Sequence, residues 1–394
     1  MDITLTDTEK AHSAALCAEI ALEIRLHGGQ LSFSRFMELA LYQAGSGYYS
    51  AGAHKLGNGG DFTTAPEISP FFGMALTNTL LPVLEVCRSQ GKTTRILEFG
   101  AGTGKLAASI LNRLMGLDFP LDHYDIIEIA PDLAQRQRTL LQETKNNLQC
   151  STQIDWPGAL PSEFEGVVIA NEVLDAIPCE RIVYQNGKWH LQGVVIQNGA
   201  FALEIGPAID LQLLPDHLLT HSFDEGYATE INPQSVAWME SISHMLTSGL
   251  FITLDYGFPA SEFFHPQRHQ GTLMAHHRHH AMTDPLYLPG LCDLTSHVEW
   301  SSIAKAALAA GANEIYFNNQ GNFLLEAGIG DLVLEKMDPA NATAFLPVSN
   351  ALQKLLSEAE MGELFKVFAF TKGLPSLPLD SLPGLGGRNR FHSL

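Results

Sequence analysis

The stretch that decides the fold is Arg95-Ile96-Leu97-Glu98-Phe99-Gly100-Ala101-Gly102-Thr103-Gly104. Residues 95–100 read as a short apolar strand, and the spacing predicts a helix over about 104–115. The glycines between them let the backbone bend tightly and approach a ligand closely. Strand, glycine turn and helix is the context that a nucleotide-binding turn needs, although a tight turn with no ligand has the same composition. Spacing separates the cofactors. A dinucleotide turn is GxGxxG. Counted from Gly100 it requires glycine at 105, where the chain has Lys105. The turn is instead GxGxG, with Glu98 two residues ahead of Gly100.

Working outward, residues 124–129 (YDIIEI) form the next predicted strand, followed by a helix from Pro131, a residue favoured in a first helical turn. A short strand near 152–155 precedes a buried one at 166–170 (GVVIA), and 249–255 (GLFITLD) is a further strand after a helix over about 233–247. A helix at 300–310 and strands at 313–317 and about 364–370 complete the pattern. Nearly continuous apolar strands alternating with helices imply a parallel sheet covered on both faces. Upstream, helices are predicted over 8–27, 33–43 and 69–89, with a long Gly/Ser/Thr/Pro-rich loop over 44–68. The expected division is an N-terminal helical lid region (1–90) and a sheet domain (91–372). Insertions are expected at about 180–245, beginning with a hairpin or two added strands, and at 257–299. An extended tail should follow over 373–394.

The GxGxG turn with its preceding acid looks like the S-adenosylmethionine motif of class I methyltransferases. In that setting a ligand carboxylate meets backbone N–H groups near a helix N-terminus, and an acid meets its ammonium. Glu128 ends the second strand, where a carboxylate can accept both ribose hydroxyls; an exposed strand-end acid fits the position too. Asp155 ends the third strand beside Trp156, a place that in this fold often meets the adenine amino group. Asn171-Glu172-Val173-Leu174-Asp175-Ala176-Ile177-Pro178 follows the buried strand 166–170, on the side where ligands bind in open α/β sheets. If this segment is helical, Glu172 and Asp175 share a face. Paired carboxylates suit a guanidinium acceptor, binding its planar fork and sharpening one nitrogen as nucleophile. Local roles, a turn cap for Asp175 and loop ordering for Glu172, are the plainer alternative. Asp255-Tyr256 either lines the site or caps a strand end.

Bulk properties narrow the partners. The chain has 394 residues, 45% hydrophobic, with 43 Asp plus Glu against 23 Lys plus Arg, a net charge of −20. That excess of acid argues against nucleic acid and suits a cationic partner. The five cysteines are widely spaced without a CxxC pair, which points to reduced thiols, not a disulfide framework or zinc site. No run of about 18 apolar residues appears, so no membrane span is expected. The start MDITLTDTEK has no signal or transit character, which makes the cytoplasm the expected location. His265, His269 and the run His276-His277-Arg278-His279-His280 lack acids or cysteines at ligand spacing, so no metal is expected there.

The segments SGYY (46–49), GDFTTAPEISPFFG (60–73), LEFGAGTGKL (97–106), NEVLDAIP (171–178), LDYG (254–257) and GTLMAHHRHH (271–280) together resemble the MidA-type methyltransferase family, whose mitochondrial member dimethylates an arginine on a respiratory complex I subunit. The resemblance implies a seven-strand, Rossmann-like α/β sheet, S-adenosylmethionine as cofactor, and an N-terminal lid with Thr64 and Glu67 over it. It implies cofactor contacts from Glu98, Gly100, Ala101, Gly102, Gly104, Glu128 and Asn171, with Asp155 near the adenine. Asn171, Glu172 and Asp175 become the expected catalytic residues, acting on a protein arginine, with a respiratory-complex subunit as the partner the resemblance suggests. The family turn often reads GPGRG; here it is GAGTG, without the basic residue. Two alternatives share these motifs: a small-molecule methyltransferase on the same fold, and a non-catalytic S-adenosylmethionine-binding assembly factor. Oligomeric state is left open.

Overall fold

A computed structural model describes residues 5–50, 63–278, 280–282 and 284–394. The chain divides into two compact units. The accessory unit takes residues up to 62 with 175–238 and 258–303; the sheet unit takes 63–174, 239–257 and 304–394.

The sheet unit is built on strands β1 (Arg95–Phe99), β2 (His123–Ile127), β3 (Gln153–Asp155), β4 (Phe164–Asn171), β5 (Leu246–Phe258), β6 (Glu314–Asn319) and β7 (Phe365–Lys372). They follow one hydrogen-bonded path in the order β3-β2-β1-β4-β5-β7-β6, and the whole sheet counts eight strands among the described residues. Pairs from β3 to β5 are parallel. β7 enters antiparallel between β5 and β6. The path reverses direction at β1, whose next strand in sequence lies on one side and β4 on the other. Such a switch point opens the crevice in which ligands of open α/β sheets bind.

Helix Pro70–Ser89 illustrates how the core forms. Ser69 caps its start, accepting from Phe71 N at 3.3 Å. Phe72, Ala75, Leu76, Leu80, Val83 and Leu84 are buried in the same cluster as Ile96, Ile110, Val167, Ile252 and Val367. By length and composition this helix could cross a membrane, yet 61% of its apolar window is buried, as in the core helix of a soluble protein. Between β6 and β7 come four helices, Gln320–Glu326, Ile329–Lys336, Ala342–Leu356 and Met361–Leu364, which the sequence reading leaves unassigned.

The expected extended tail is corrected. Leu374, Leu379, Leu382 and Leu385 are buried in the sheet-unit core, Arg390 N donates to Phe317 O at 2.7 Å, and Asn389 Nδ2 donates to Ile315 O at 2.7 Å. Leucines spaced by prolines and glycines have no period to read, but they fill an edge that the sheet leaves open. The boundary expected at 90/91 lies at 62/63, because helix Pro70–Ser89 belongs to the sheet core while helices Asp7–Leu26 and Phe33–Tyr42 do not.

In the accessory unit, three strands rather than a hairpin fill the first insertion. Glu180–Gln185, Lys188–Gln197 and Ala200–Ala208 form an antiparallel meander flanked by Ala228–Ile231 and Gln30–Leu31. A second sheet centres on Met274–His277, paired with His280–Met282 and Asp293–Thr295. The Gly271-Thr272 start of GTLMAHHRHH has a structural reason. Glu230 is buried, pairs with Arg181 at 3.0 Å, and accepts from Thr272 N at 2.7 Å and Thr272 Oγ1 at 3.1 Å. A Cβ on Gly271 would lie 2.0 Å from Glu230 Oε1, so only glycine leaves room for this charge and its partners.

Candidate cofactor and acceptor site

Strand β1 delivers Glu98 to the floor of the crevice. The side chain is buried, and Tyr124 of β2 donates its hydroxyl to Glu98 Oε2 at 2.6 Å. Burial pushes the Glu98 carboxyl up to about 7; the Tyr124 bond opposes this, and the nearby Glu128 adds to it. Burial likewise drives the Tyr124 hydroxyl well above its ordinary value, reinforced by Glu98. A buried carboxyl two residues ahead of the glycine turn, pushed toward neutrality, is the kind of perturbed group that marks a candidate site.

The turn itself has the predicted form. Gly100, Gly102 and Gly104 all have left-handed backbone, with φ of 59°, 54° and 88°. A Cβ on Gly100 would lie 3.3 Å from Val173 Cγ2, so the turn sits against the segment after β4. Gly104 precedes helix Lys105–Gly116. Lys105, which argues against a dinucleotide, is paired with Glu67, and Glu67 also accepts from the Thr103 hydroxyl. The short helix Ala65–Ile68, with Thr64 as its N-cap residue, is thereby fastened to the turn. Residues 60–62 of the same loop lie outside the described residues.

Glu128 follows β2. It accepts from Ala130 N at 2.9 Å and from Gln137 Nε2 at 2.8 Å, and burial raises its carboxyl above the ordinary value against those two bonds. Gln137 also donates to Gly102 O at 2.9 Å and accepts from Trp156 Nε1 at 2.8 Å. Arg138 lies over the Trp156 ring at 4.8 Å. Asp155 accepts from Gln153 Nε2 at 2.7 Å and stays partly exposed at the end of β3. Sequence reading missed Gln137 and Tyr124: a glutamine within a helix and a tyrosine within a buried strand carry no local mark of a site.

The segment after β4 departs from expectation. Asn171 ends the strand; Glu172 has φ of 53°, and only Leu174–Ala176 forms a 3₁₀ turn. Glu172 and Asp175 therefore do not share a helical face, and Asp175 belongs to the accessory unit. There its carbonyl accepts from Ser296 N at 3.0 Å. With Asp293, it adds to burial in raising the Tyr49 hydroxyl. Glu172 remains at the crevice. Its backbone N donates to Leu254 O at 2.9 Å, and its Oε1 accepts from Asn171 Nδ2 at 3.2 Å and, at a long 3.4 Å, Ala65 N. A non-glycine residue in the left-handed region stores strain that only the surrounding structure holds. Asp255 is the turn's cap: fully buried, it accepts from Leu174 N at 2.9 Å and Val173 N at 3.2 Å.

In the His-rich segment, His277 Nδ1 lies 2.9 Å from Leu291 O and Arg278 pairs with Glu9 at 2.6 Å, while His279 lies outside the described residues. Among the described residues no three His, Cys, Asp or Glu side chains are grouped to hold a metal. None of the five cysteines, all of them among the described residues, forms a disulfide.

The donor set fits a sulfonium nucleoside with an amino-acid end: three glycines in left-handed backbone, a buried acid two residues ahead of the first, and a second acid one strand along. Comparisons with known proteins agree. A Burkholderia thailandensis structure bound to S-adenosyl-homocysteine is 43% identical, covers 100% of each chain and superposes with a TM-score of 0.93. The Drosophila melanogaster mitochondrial protein arginine methyltransferase NDUFAF7 homolog is 26% identical, aligned over 92% of this chain and 86% of its own length. The human NDUFAF7 protein arginine methyltransferase is 25% identical, over 86% and 80%. The family described as "Putative S-adenosyl-L-methionine-dependent methyltransferase" matches residues 75–318, more than half of the chain. With that match resting on the same turn and sheet, the chain belongs to this S-adenosyl-L-methionine-dependent methyltransferase family, of the MidA type.

Proposed function

We propose that the protein methylates arginine on a protein partner. The observation that carries this reading is Glu172, a carboxylate held in strained backbone at the carboxyl end of β4, next to the glycine turn. The names of the relatives support the acceptor class.

When bound, S-adenosylmethionine supplies a methyl group on a positively charged sulfur. Glu98 would hold the ammonium of its amino-acid end, residues 101–103 of the turn would offer N–H groups to its carboxylate, Glu128 would accept from the ribose, and Asp155 would lie on the adenine side. Thr64 and Glu67 close over this end of the crevice through the Lys105 pair. Asn171 orients Glu172, which accepts a bidentate contact from the guanidinium and takes the proton that the methylated nitrogen loses. Most of the rate would come from holding nucleophile and methyl donor in line.

Two results are expected. Glu172→Gln keeps cofactor affinity within about twofold and lowers methyl transfer on the order of 100-fold, the lower range for losing a positioned acid–base group. Normal binding with an undiminished rate would remove Glu172 from the mechanism. For Glu98, a cationic ligand favours the ionised carboxylate, so binding weakens as pH falls through about 7. The affinity ratio of wild type to Glu98→Gln should rise about tenfold from pH 6 to pH 8. Because both proteins see the same ligand, titration of its own groups cancels. A ratio flat with pH would mean that Glu98 does not face the ammonium.

A further inference from the structure

Gln137 lies on helix Pro131–Leu148, on the face that also buries Ala134, Leu141 and Thr144, and it is itself fully buried. A glutamine on a buried helix face must satisfy its amide, and here both N–H donors and the oxygen have partners. The indole N–H of Trp156 can only donate, so it fixes the amide oxygen. The Gly102 carbonyl and an ionised Glu128 can only accept, so they fix the amide nitrogen. The orientation of the side chain is thus determined by chemistry. Its backbone side packs on the turn as well: a Cβ on Gly104 would lie 3.5 Å from both Gln137 Cα and Cγ.

One side chain therefore ties together the glycine turn, the acid after β2 and the aromatic after β3, three pieces of the cradle that come from three different connections. We infer that Gln137 is a positioning residue for cofactor recognition: it orients the Glu128 carboxylate toward the ribose and holds Trp156 at the adenine side. This inference rests on the proposed ribose role of Glu128. An apolar residue at 137 would strip a partner from Glu128, Gly102 and Trp156 together. A glutamate would keep the size but set its own oxygens against two acceptors.

The test is calorimetric titration of the full chain with S-adenosylhomocysteine and with its 2′-deoxyribose counterpart. Wild type should prefer the parent ligand about tenfold, the worth of one hydrogen bond to a charged group. Gln137→Leu should weaken the parent about tenfold and shrink the preference below about threefold, since a Glu128 that is no longer oriented cannot read the hydroxyl. Gln137→Glu, nearly the same shape, should do the same and serves if the leucine variant does not fold. Unchanged parent affinity in the variants would overturn the inference. So would equal weakening of both ligands with the preference intact, which is the mark of a residue that only shapes the fold. No preference in wild type would instead overturn the ribose role of Glu128, and the inference with it.

Discussion

Gly100→Asp is expected to abolish cofactor binding while the protein stays folded. The residue sits at φ of 59°, a conformation that costs a side chain roughly 1–2 kcal/mol, and its Cβ would press on Val173 Cγ2 at 3.3 Å. That strain is small against the stability of a chain of this size and should lower the melting temperature by only a few degrees, on the order of 2–4 °C per kcal/mol. The ligand suffers far more. An aspartate would place a carboxylate where the turn must receive the ligand's own carboxylate, beside buried Glu98. Like charges in a partly desolvated site repel strongly, and affinity for S-adenosylmethionine should fall on the order of 100-fold or more. Calorimetry with a parallel melting curve checks this. Binding within a few-fold of wild type would show that the turn is structural.

The second large effect concerns the opposite end of the strands. Gly166 of β4 and Gly249 of β5 pair in register, with φ of 137° and 148°. A Cβ on Gly249 would lie 1.8 Å from Gly166 O, and one on Gly166 would lie 2.4 Å from Arg95 O of β1. The obstacles are backbone atoms of adjacent strands, which cannot rotate away. Gly249→Ala must therefore separate β4 from β5 in the middle of the seven-strand path. We expect a loss of more than about 4 kcal/mol, the range reserved for broken cores, and little soluble protein. Gly330→Ala is the control. Gly330 lies in helix Ile329–Lys336 with open space around its Cβ position, so alanine should stabilise by about 0.5–1 kcal/mol. Unfolding curves of the two variants should move in opposite directions. A Gly249→Ala protein that melts like wild type would mean that the β4–β5 register is wrong.

These contrasts show what was legible in the sequence. The glycine turn could be read because its meaning lies in local spacing, and Lys105 alone separates it from a dinucleotide turn. The strands of the sheet were legible because buried parallel strands are short apolar runs with few polar interruptions. The two-unit division was not, because the accessory unit is assembled from three separated stretches and no composition shift marks where the chain leaves and returns. Leu374, Leu379, Leu382 and Leu385 carry no local signal of burial, since the core they enter is distant in sequence. The expected pairing of Glu172 with Asp175 assumed a helix. Asp255, 82 residues beyond Val173, caps that turn at Val173 and Leu174 and leaves Glu172 outside it. The acids proposed to hold the cofactor are legible from their position at or near strand ends, whereas Gln137 makes three non-local bonds that only the fold reveals.

The most direct test of the account follows the methyl group. Extract from source cells lacking this protein is incubated with purified enzyme and S-adenosylmethionine labelled on its methyl. Protein and small molecules are then separated, and the protein fraction is hydrolysed to amino acids. The account predicts label in methylated arginine of a few proteins, strongly reduced with Glu172→Gln. Label confined to small molecules, or to a protein residue other than arginine, would contradict it.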